Sequence, residues 1–218
     1  MLNKVGETKR KEIASEVAEK LREHFRKRNF RVTTPFRALV RTVLSQRTRD
    51  ENTDKAFEML FKVVSSPEDI LSLPEEKLRE LIKSAGFYRV KAKRLKEICK
   101  VLVEKYNGEV PEDFDEILSL PGVGRKTANC VLVYGFDKEA IPVDTHVHRI
   151  SNLIPLVKTK TPEETEMELV KIVPRQYWKE INEHFVRLGQ TICKPLKQEC
   201  EVCPLNSLCQ FGKRKMGG

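Results

Sequence analysis

The sequence lacks any apolar run that approaches the roughly 18–20 residues needed to cross a membrane as a helix. Residues 1–11 are charged and lack the apolar centre of a signal peptide. We therefore expect a cytoplasmic protein with no membrane partner. In that reducing compartment, the six cysteines of the chain are not expected to form a disulfide framework.

The sequence also lacks a convincing run of alternating apolar and polar residues, which would predict β-strands. Apolar residues instead recur with helical spacing, as at Ile13, Val17, Leu21 and Phe25. The same pattern predicts further helices that begin near Pro35 and Pro67 or span residues 56–64, 75–84, 90–106, 115–120, 126–134, 145–153, 162–173 and 176–189. The predicted fold class is all-α.

Acidic residues are fewer than basic residues in this chain. The chain has 41 Lys and Arg but only 32 Asp and Glu, which leaves a formal net charge of +9. This excess favours a polyanionic partner such as a nucleic acid, through phosphate contacts and counterion release. A basic surface with no such partner is at least as compatible with the charge alone. With 39% apolar residues, the chain can form a globular core.

The most informative segment is residues 120–128, which read Leu-Pro-Gly-Val-Gly-Arg-Lys-Thr-Ala. Glycines at 122 and 124 permit positive φ and leave no side chain between the backbone and a ligand. A helix that starts directly after them directs its first N–H groups outward, which suits a phosphate. An ordinary tight turn between two helices is the alternative, but the flanking residues favour the phosphate site.

Residues 120–128 resemble, over their whole length, the hairpin of the helix–hairpin–helix DNA glycosylases, and within them that of endonuclease III. The resemblance implies a bifunctional glycosylase and abasic-site lyase with Lys126 as its catalytic lysine. It also implies damaged duplex DNA as the partner and a place near the nucleoid. The hairpin residues expected to contact DNA are Gly122, Val123, Gly124, Arg125 and Thr127.

A lysine suits that chemistry. A neutral amine can attack the deoxyribose C1′, expel the damaged base and form a Schiff base, after which β-elimination cleaves the strand on the 3′ side. Attack requires a lowered lysine pKa, which desolvation, a nearby cation or the positive end of a helix can provide. A simple phosphate contact is the commoner role of a lysine near DNA.

A second motif lies at residues 142–149, which read Pro-Val-Asp-Thr-His-Val-His-Arg. It resembles the family's Val-Asp-Thr-His segment, which implies Asp144 as the essential carboxylate and Arg149 as a DNA contact. Asp144 is expected both to cap the next helix and to stabilise positive charge on the sugar or help activate the lysine or a water. His148 is expected at the surface or facing DNA, and it receives no chemical role.

Four cysteines close together near the C-terminus, Cys193, Cys200, Cys203 and Cys209, indicate a metal site. Their spacing alone accepts either zinc or an iron–sulfur cluster. The resemblance to the endonuclease III loop selects a [4Fe–4S] cluster, with structural zinc as the runner-up. Cys99 and Cys130 lie in apolar stripes and are expected to be buried packing residues.

Positive charge surrounds that loop, at Lys194, Lys197, Lys213, Arg214 and Lys215. We expect Lys194 to contact DNA, although a charged exterior on a structural loop is nearly as compatible with the pattern.

The chain departs from the family at Leu-Ser-Gln-Arg-Thr, residues 44–48. The resemblance implies that a side chain here fills the gap left by an extruded nucleotide, with Ser45 beside it. Either Gln46 or Arg47 can take this place. Phe87 stands where relatives often have leucine, and it is a candidate wedge that unstacks the duplex. A core position for Phe87 is the alternative.

These patterns predict a monomer with two helical lobes. Residues 28–138 are expected to form a six-helix barrel lobe that carries the helix–hairpin–helix motif, at about residues 113–134. Residues 1–27 and 139–218 are expected to form the second lobe, with the cluster loop at 193–209. The expected substrates are oxidised pyrimidines. A monofunctional mismatch glycosylase, for thymine or uracil or for adenine, and a non-catalytic DNA-binding module are the alternatives.

Overall fold

A computed structural model describes residues 6–25 and 33–216, apart from the side chains of the last two. The chain divides into two compact units, one formed by Met1–Phe30 with Glu139–Gly218 and the other by Arg31–Lys138. The predicted lobe boundary between residues 27 and 28 and the side chain of Lys215 lie outside the described residues.

The unit Arg31–Lys138 is built from helices joined by short turns. Its helices are α2 Pro35–Ser45, α3 Asp50–Leu60, α4 Pro67–Ser72, α5 Glu75–Leu81, α6 Tyr88–Tyr106, α7 Phe114–Leu118 and α8 Arg125–Phe136, with a 3₁₀ turn at Lys83–Ala85. The described part of this unit thus contains seven α-helices, each at a place where the apolar pattern predicts one. The boundary between α4 and α5 is at Pro74, because the residue before a proline is forced out of the helical region and Leu73 is extended, with ψ 135°.

Local sequence signals set several helix starts. Thr34 and Ser66 accept hydrogen bonds from the first-turn amides of α2 and α4, and each is followed by a proline at the first helical position. Asp113 does the same for α7 with two amides. The expectation for α3 is wrong at its end, because the helix stops at Leu60 and Val63 is exposed beyond it.

The core of this unit depends on the close approach of α2 and α8. Gly135 of α8 lies so near α2 that a Cβ there would meet the Cα of Pro35 at 2.7 Å. At the same end, the amide of Thr33 donates to the carbonyl of Tyr134 at 2.9 Å. Since the start of α2 lies beside the end of α8, the two helices run antiparallel. The end of α2 is therefore expected beside the start of α8.

The other unit contains α1 Glu7–Phe25, α9 Thr145–Leu153, α10 Pro162–Ile172, α11 Trp178–Thr191 and α12 Gln210–Met216. Its core is continuous, from Val17 and Leu21 of α1 to Val147 of α9 and Phe185 of α11. The first helix therefore packs with the C-terminal helices. Cys193, Cys203 and Cys209 lie against the same core.

The all-α prediction is confirmed, since the described residues contain no strand beyond an isolated bridge between Cys193 and Gln198. Within the same residues, no helix is both long and apolar enough to cross a membrane.

Replacing Gly135 by alanine should lower the Tm. The new methyl group gains about 1 kcal/mol of helix propensity, but overpacking against the backbone of Pro35 costs about 1–3 kcal/mol. Thermal unfolding followed by circular dichroism measures the balance. A Tm that rises, as helix propensity alone would produce, would contradict the close approach of α2 and α8.

Candidate functional site

The predicted hairpin connects α7 to α8. Gly122 has φ +66°, a conformation that side chains rarely adopt, whereas Gly124 has φ −103° and is the N-cap of α8. The expectation of positive φ therefore holds for Gly122 alone. Val123, expected to contact DNA, has a buried side chain, and its amide donates to the carbonyl of Leu120 at 3.1 Å. These contacts fix the turn from inside and leave both glycines exposed.

The catalytic candidate Lys126 lies in the first turn of α8, one residue after Arg125. The guanidinium of Arg125 lies over the ring of Phe114, with 4.7 Å between the guanidinium carbon and the ring centroid. Thr127 is buried. Because an α-helix has no internal acceptor for its first amides and carries positive partial charge at its start, this turn suits an anion.

Arg94 of α6 connects the hairpin to the end of α2. A Cβ at Gly122 would lie 2.2 Å from the Nε atom of Arg94, so the guanidinium occupies the space that a side chain would need. The Nη1 atom of Arg94 donates to Oε1 of Gln46 at 3.4 Å. The hairpin and the predicted gap-filling segment are thus neighbours, as the antiparallel pairing of α2 and α8 requires.

The gap-filling segment itself has an unusual backbone. Ser45 ends α2 and donates its hydroxyl to the carbonyl of Thr42 at 2.8 Å. Gln46 is half-buried and is held by Arg94, while Arg47 is exposed with φ +52°. Of the two candidates, Gln46 has a fixed side chain and Arg47 a strained backbone.

Phe87 does not lie in the core, because 63% of its surface is exposed. It precedes α6 with φ +49° and follows Gly86, which also has positive φ. An exposed aromatic side chain on a left-handed backbone is suited to contact a partner, and the alternative of a packing role is excluded.

A buried lysine, Lys91, lies between the gap-filling segment and the turn that carries Phe87. It was not among the residues predicted from the sequence. Lys91 is 4% exposed, and its ammonium group donates to Leu44 O at 2.7 Å, Thr48 Oγ1 at 2.7 Å and Ala85 O at 2.5 Å. Burial lowers the pKa of Lys91 to about 8. Its signal in the sequence is a lysine in the apolar stripe of Leu95 and Leu102.

Asp144 caps α9, as predicted. Its Oδ1 atom accepts from the amide of His146 at 2.9 Å and from that of Val147 at 2.8 Å. Both capping bonds use the same oxygen, so Oδ2 takes no part in the cap. The carboxylate can therefore hold its helix and present a charged oxygen at the same time.

The first turn of α9 is also held from α11. A Cβ at Gly189 would lie 2.2 Å from Nδ1 of His146, so that glycine makes room for the imidazole. His148 is half-buried, and its Nδ1 atom lies 2.7 Å from Oγ1 of Thr165 in α10. That it lies at the surface or faces DNA stays a prediction.

The four C-terminal cysteines line one pocket. Cys193, Cys200, Cys203 and Cys209 surround it together with apolar residues of the same unit, Leu153, Ile192 and Phe211. Burial, with the other three cysteines nearby, raises the pKa of Cys203 to about 11. Within the described residues, no group of three or more His, Cys, Asp or Glu side chains converges as ligands of one metal ion.

Arg149 lies against this pocket. Its guanidinium donates to the carbonyl of Cys193 and, at 3.4 Å, to the Sγ atom of the same residue. The predicted DNA contact of Arg149 stays a prediction. Lys194 and Lys197 are exposed on the same loop.

The remaining cysteines behave as packing residues. Cys99 and Cys130 are buried, which confirms their predicted place, and burial raises the pKa of Cys99 to about 12.

The structure groups the hairpin, Lys126, Gln46 and Phe87 in one unit, and Asp144 with the four clustered cysteines in the other. That Asp144 acts together with Lys126 on one sugar stays a prediction.

Comparison with known protein families gives one match over most of the chain. The HhH-GPD superfamily base excision DNA repair protein family matches residues 40–175. Among curated proteins, endonuclease III of Thermotoga maritima is 54% identical over 191 residues, which is 88% of this chain and 90% of that protein.

Solved structures give the same fold. A trapped endonuclease III–DNA covalent intermediate, an estranged-adenine complex, has a TM-score of 0.84 at 38% identity and covers 91% of this chain and 95% of its own. A thermostable thymine-DNA glycosylase has a TM-score of 0.82 at 28% identity and covers 95% of this chain and 98% of its own.

Alanine substitutions at the two hairpin glycines should have different effects. Gly122→Ala should lower both the Tm and the affinity for duplex DNA, because it strains a positive φ by about 1–2 kcal/mol and displaces Arg94. Gly124→Ala meets nothing within 4 Å, so it should change the Tm less and still weaken DNA binding. Thermal unfolding and fluorescence anisotropy test both. Unchanged DNA affinity in Gly124→Ala would contradict a close backbone approach to phosphate.

Proposed function

Because the chain belongs to the endonuclease III family of the HhH-GPD superfamily of base excision DNA repair proteins, we propose that it removes oxidised pyrimidines from duplex DNA and cleaves the strand 3′ to the resulting abasic site. The chain is a DNA glycosylase with abasic-site lyase activity, and the substrate class and the residues below are the proposal. We expect it to act on damaged duplex DNA as a monomer.

The observation that carries this proposal is the place of Lys126, in the first turn of a helix that begins directly after an exposed glycine hairpin. The hairpin backbone and the helix start bind a DNA phosphate. The lysine of the same turn then lies near the sugar.

The reaction follows from that amine. The Nζ atom of Lys126 forms a bond to C1′ of the damaged nucleotide, and the glycosidic C–N bond breaks, so the base leaves with the electron pair. Loss of a proton from nitrogen and opening of the sugar ring give a Schiff base. Removal of a C2′ proton then expels the 3′ phosphate oxygen, and water releases the lysine.

Asp144 supplies negative charge to this reaction. Positive charge develops on the sugar as the base departs, and a preorganised carboxylate stabilises it without rearrangement. The capping bonds at Oδ1 hold the carboxylate in one orientation, which leaves Oδ2 for the substrate.

The DNA contacts divide between phosphate and base. Gly122, Gly124 and the start of α8 hold phosphate, which carries no sequence information. Gln46 or Arg47 fills the space of the extruded nucleotide, and exposed Phe87 unstacks its neighbours. The enzyme therefore selects a nucleotide that leaves the stack easily.

A second candidate is a monofunctional mismatch glycosylase. It is favoured by the similarity to the thermostable thymine-DNA glycosylase, which has the same fold. Such an enzyme activates water and forms no covalent bond to the sugar, so covalent trapping separates the two candidates.

Lys126→Ala should abolish the protein–DNA adduct that borohydride traps on a duplex with an oxidised pyrimidine, because no other amine occupies the proposed place. Lys100→Ala, which changes an exposed lysine of α6, should trap as the wild type does. Gel electrophoresis after reduction measures the adduct. A wild-type protein that releases the base without any adduct would instead support the mismatch glycosylase.

Asp144→Asn should slow base release by about a hundredfold or more while the Tm changes little, because the amide oxygen keeps the cap and only the charge is lost. Asp144→Ala should lower both the rate of base release and the Tm, since it removes the helix cap as well as the charge. Single-turnover base release and thermal unfolding measure the two effects. A full rate in Asp144→Asn would limit the residue to capping.

We infer that the four C-terminal cysteines hold a [4Fe–4S] cluster, with structural zinc as the runner-up. Four thiols around one pocket fit such a cluster, because each thiolate binds its own iron and the sulfurs need not meet at a single ion. Arg149 lies beside the same pocket, where its guanidinium donates to Cys193 Sγ. When bound, the cluster supplies cross-links that order residues 193–209.

Cys203→Ser should lose bound iron, acid-labile sulfide and the visible absorption of the protein. Cys99→Ala changes a buried cysteine of the other unit and should keep all three. Metal and sulfide analysis of purified protein provides the measurement. Zinc without iron or sulfide in the wild-type protein would establish the runner-up.

A further inference from the structure

We propose that Lys91 is a positioning residue that holds the gap-filling segment, residues 45–49, and the wedge turn, residues 85–87, in the arrangement that extrudes a nucleotide. This inference rests on the proposed function and deepens it. Lys91 itself touches no DNA, because its ammonium group is buried between the two segments.

The contacts of Lys91 join the two segments directly. On one side, Nζ donates to Leu44 O, at the end of α2, and to Thr48 Oγ1, both at 2.7 Å. On the other side, it donates to Ala85 O at 2.5 Å. The hydroxyl of Thr48 also donates to Ala85 O at 2.5 Å, so the same three groups bond to one another.

The same side chain also secures strained backbone. Among the described residues, four non-glycine residues have positive φ, and two of them, Asn107 and Asp137, only end helices. The other two are Arg47 and Phe87, one in each segment. Such conformations are unfavourable for residues other than glycine and persist only where the surroundings enforce them.

Lys91 enforces both. Its ammonium group binds Thr48, next to Arg47, and Ala85, two residues before Phe87. Its own amide donates to the carbonyl of Phe87 at 3.1 Å. The side chain and main chain of one residue therefore fix the turn that exposes Phe87.

An apolar residue would fill this position at lower cost if packing were the only requirement. Lys91 lies in the stripe of Leu95 and Leu102, and burying an ammonium group is unfavourable unless its three donors are satisfied. Here all three donors have acceptors: Thr48 and Ala85 belong to the two segments, and Leu44 directly precedes the first of them. The cation is thus used to join them.

Lys96 provides a matched control on the same helix. Its ammonium group also donates to backbone carbonyls, those of Leu71 at 2.9 Å and Leu73 at 2.5 Å. These contacts secure the end of α4, which carries none of the predicted DNA contacts. Methionine at position 91 or 96 keeps the length of the side chain and removes the hydrogen bonds.

The experiment measures base unstacking separately from catalysis. A duplex carries 2-aminopurine beside an oxidised pyrimidine, and its fluorescence rises when the stack opens on binding. A second duplex carries the same lesion in an unpaired bubble, where the stack is already open. Lys91→Met, Lys96→Met and the wild type are compared well below their Tm values, with saturating protein.

Lys91→Met should lose most of the fluorescence rise on the paired duplex and release its base about tenfold more slowly. On the bubble it should release the base at nearly the wild-type rate. Lys96→Met should behave as the wild type on both duplexes. Should Lys91→Met fail to fold, Thr48→Val, which removes the hydroxyl shared by the two segments, should show the same selective loss.

Equal effects of Lys91→Met and Lys96→Met, or equal slowing on paired and bubble duplexes, would overturn the inference and leave Lys91 a structural residue. A wild-type protein that unstacks the duplex but releases no base and cleaves no abasic site would instead overturn the proposed function. The fluorescence comparison would still decide the role of Lys91.

Discussion

The close approach of α2 and α8 is the constraint on which the rest of the DNA-facing unit depends. Gly135 allows the two helices to touch at the Pro35 end, and their antiparallel course then brings the end of α2 beside the start of α8. The 11 and 12 residues of these helices give them nearly equal lengths. The proposed gap-filling segment and the first turn of α8, which carries Lys126, therefore become neighbours although they are distant in the sequence, and Arg94 spans from Gly122 to Gln46.

The motifs of the site could be predicted from the sequence because each depends on local backbone chemistry. A glycine with positive φ at 122, an aspartate cap at 144 and closely spaced thiols at 193–209 all act within a few residues of themselves. The helices followed from apolar periodicity for the same reason. The end of α3 did not, since Val63 continues the apolar pattern although the helix has ended and the side chain is exposed.

Contacts between segments that are distant in the sequence could not be predicted from local patterns. Lys91 is separated by 47 residues from Leu44 and by 43 from Thr48, and nothing local indicates which carbonyls its ammonium group will meet. The exposure of Phe87 could not be predicted for the same reason. Whether an aromatic residue in a turn is buried or exposed depends on neighbouring residues from other helices. What the sequence does contain is the anomaly itself, a lysine within an apolar stripe, which indicates a buried partner without identifying it.

These buried contacts bear on how a protein can find damage without reading sequence. A backbone cradle holds every phosphate equally well, so discrimination must come from how readily a nucleotide leaves the stack. A wedge and a gap filler can distinguish a nucleotide that leaves the stack easily only if the duplex does not displace their side chains. A side chain that the duplex displaces would respond in the same way to an intact pair and to a damaged one. Stiffness is available where a strained backbone is held by several strong hydrogen bonds, as at Arg47 and Phe87 around the ammonium group of Lys91. Holding the wedge and the gap filler rigid thus requires the unfavourable burial of a charge. That charge belongs to Lys91, between the two segments proposed to meet DNA, and not to the proposed catalytic lysine, Lys126.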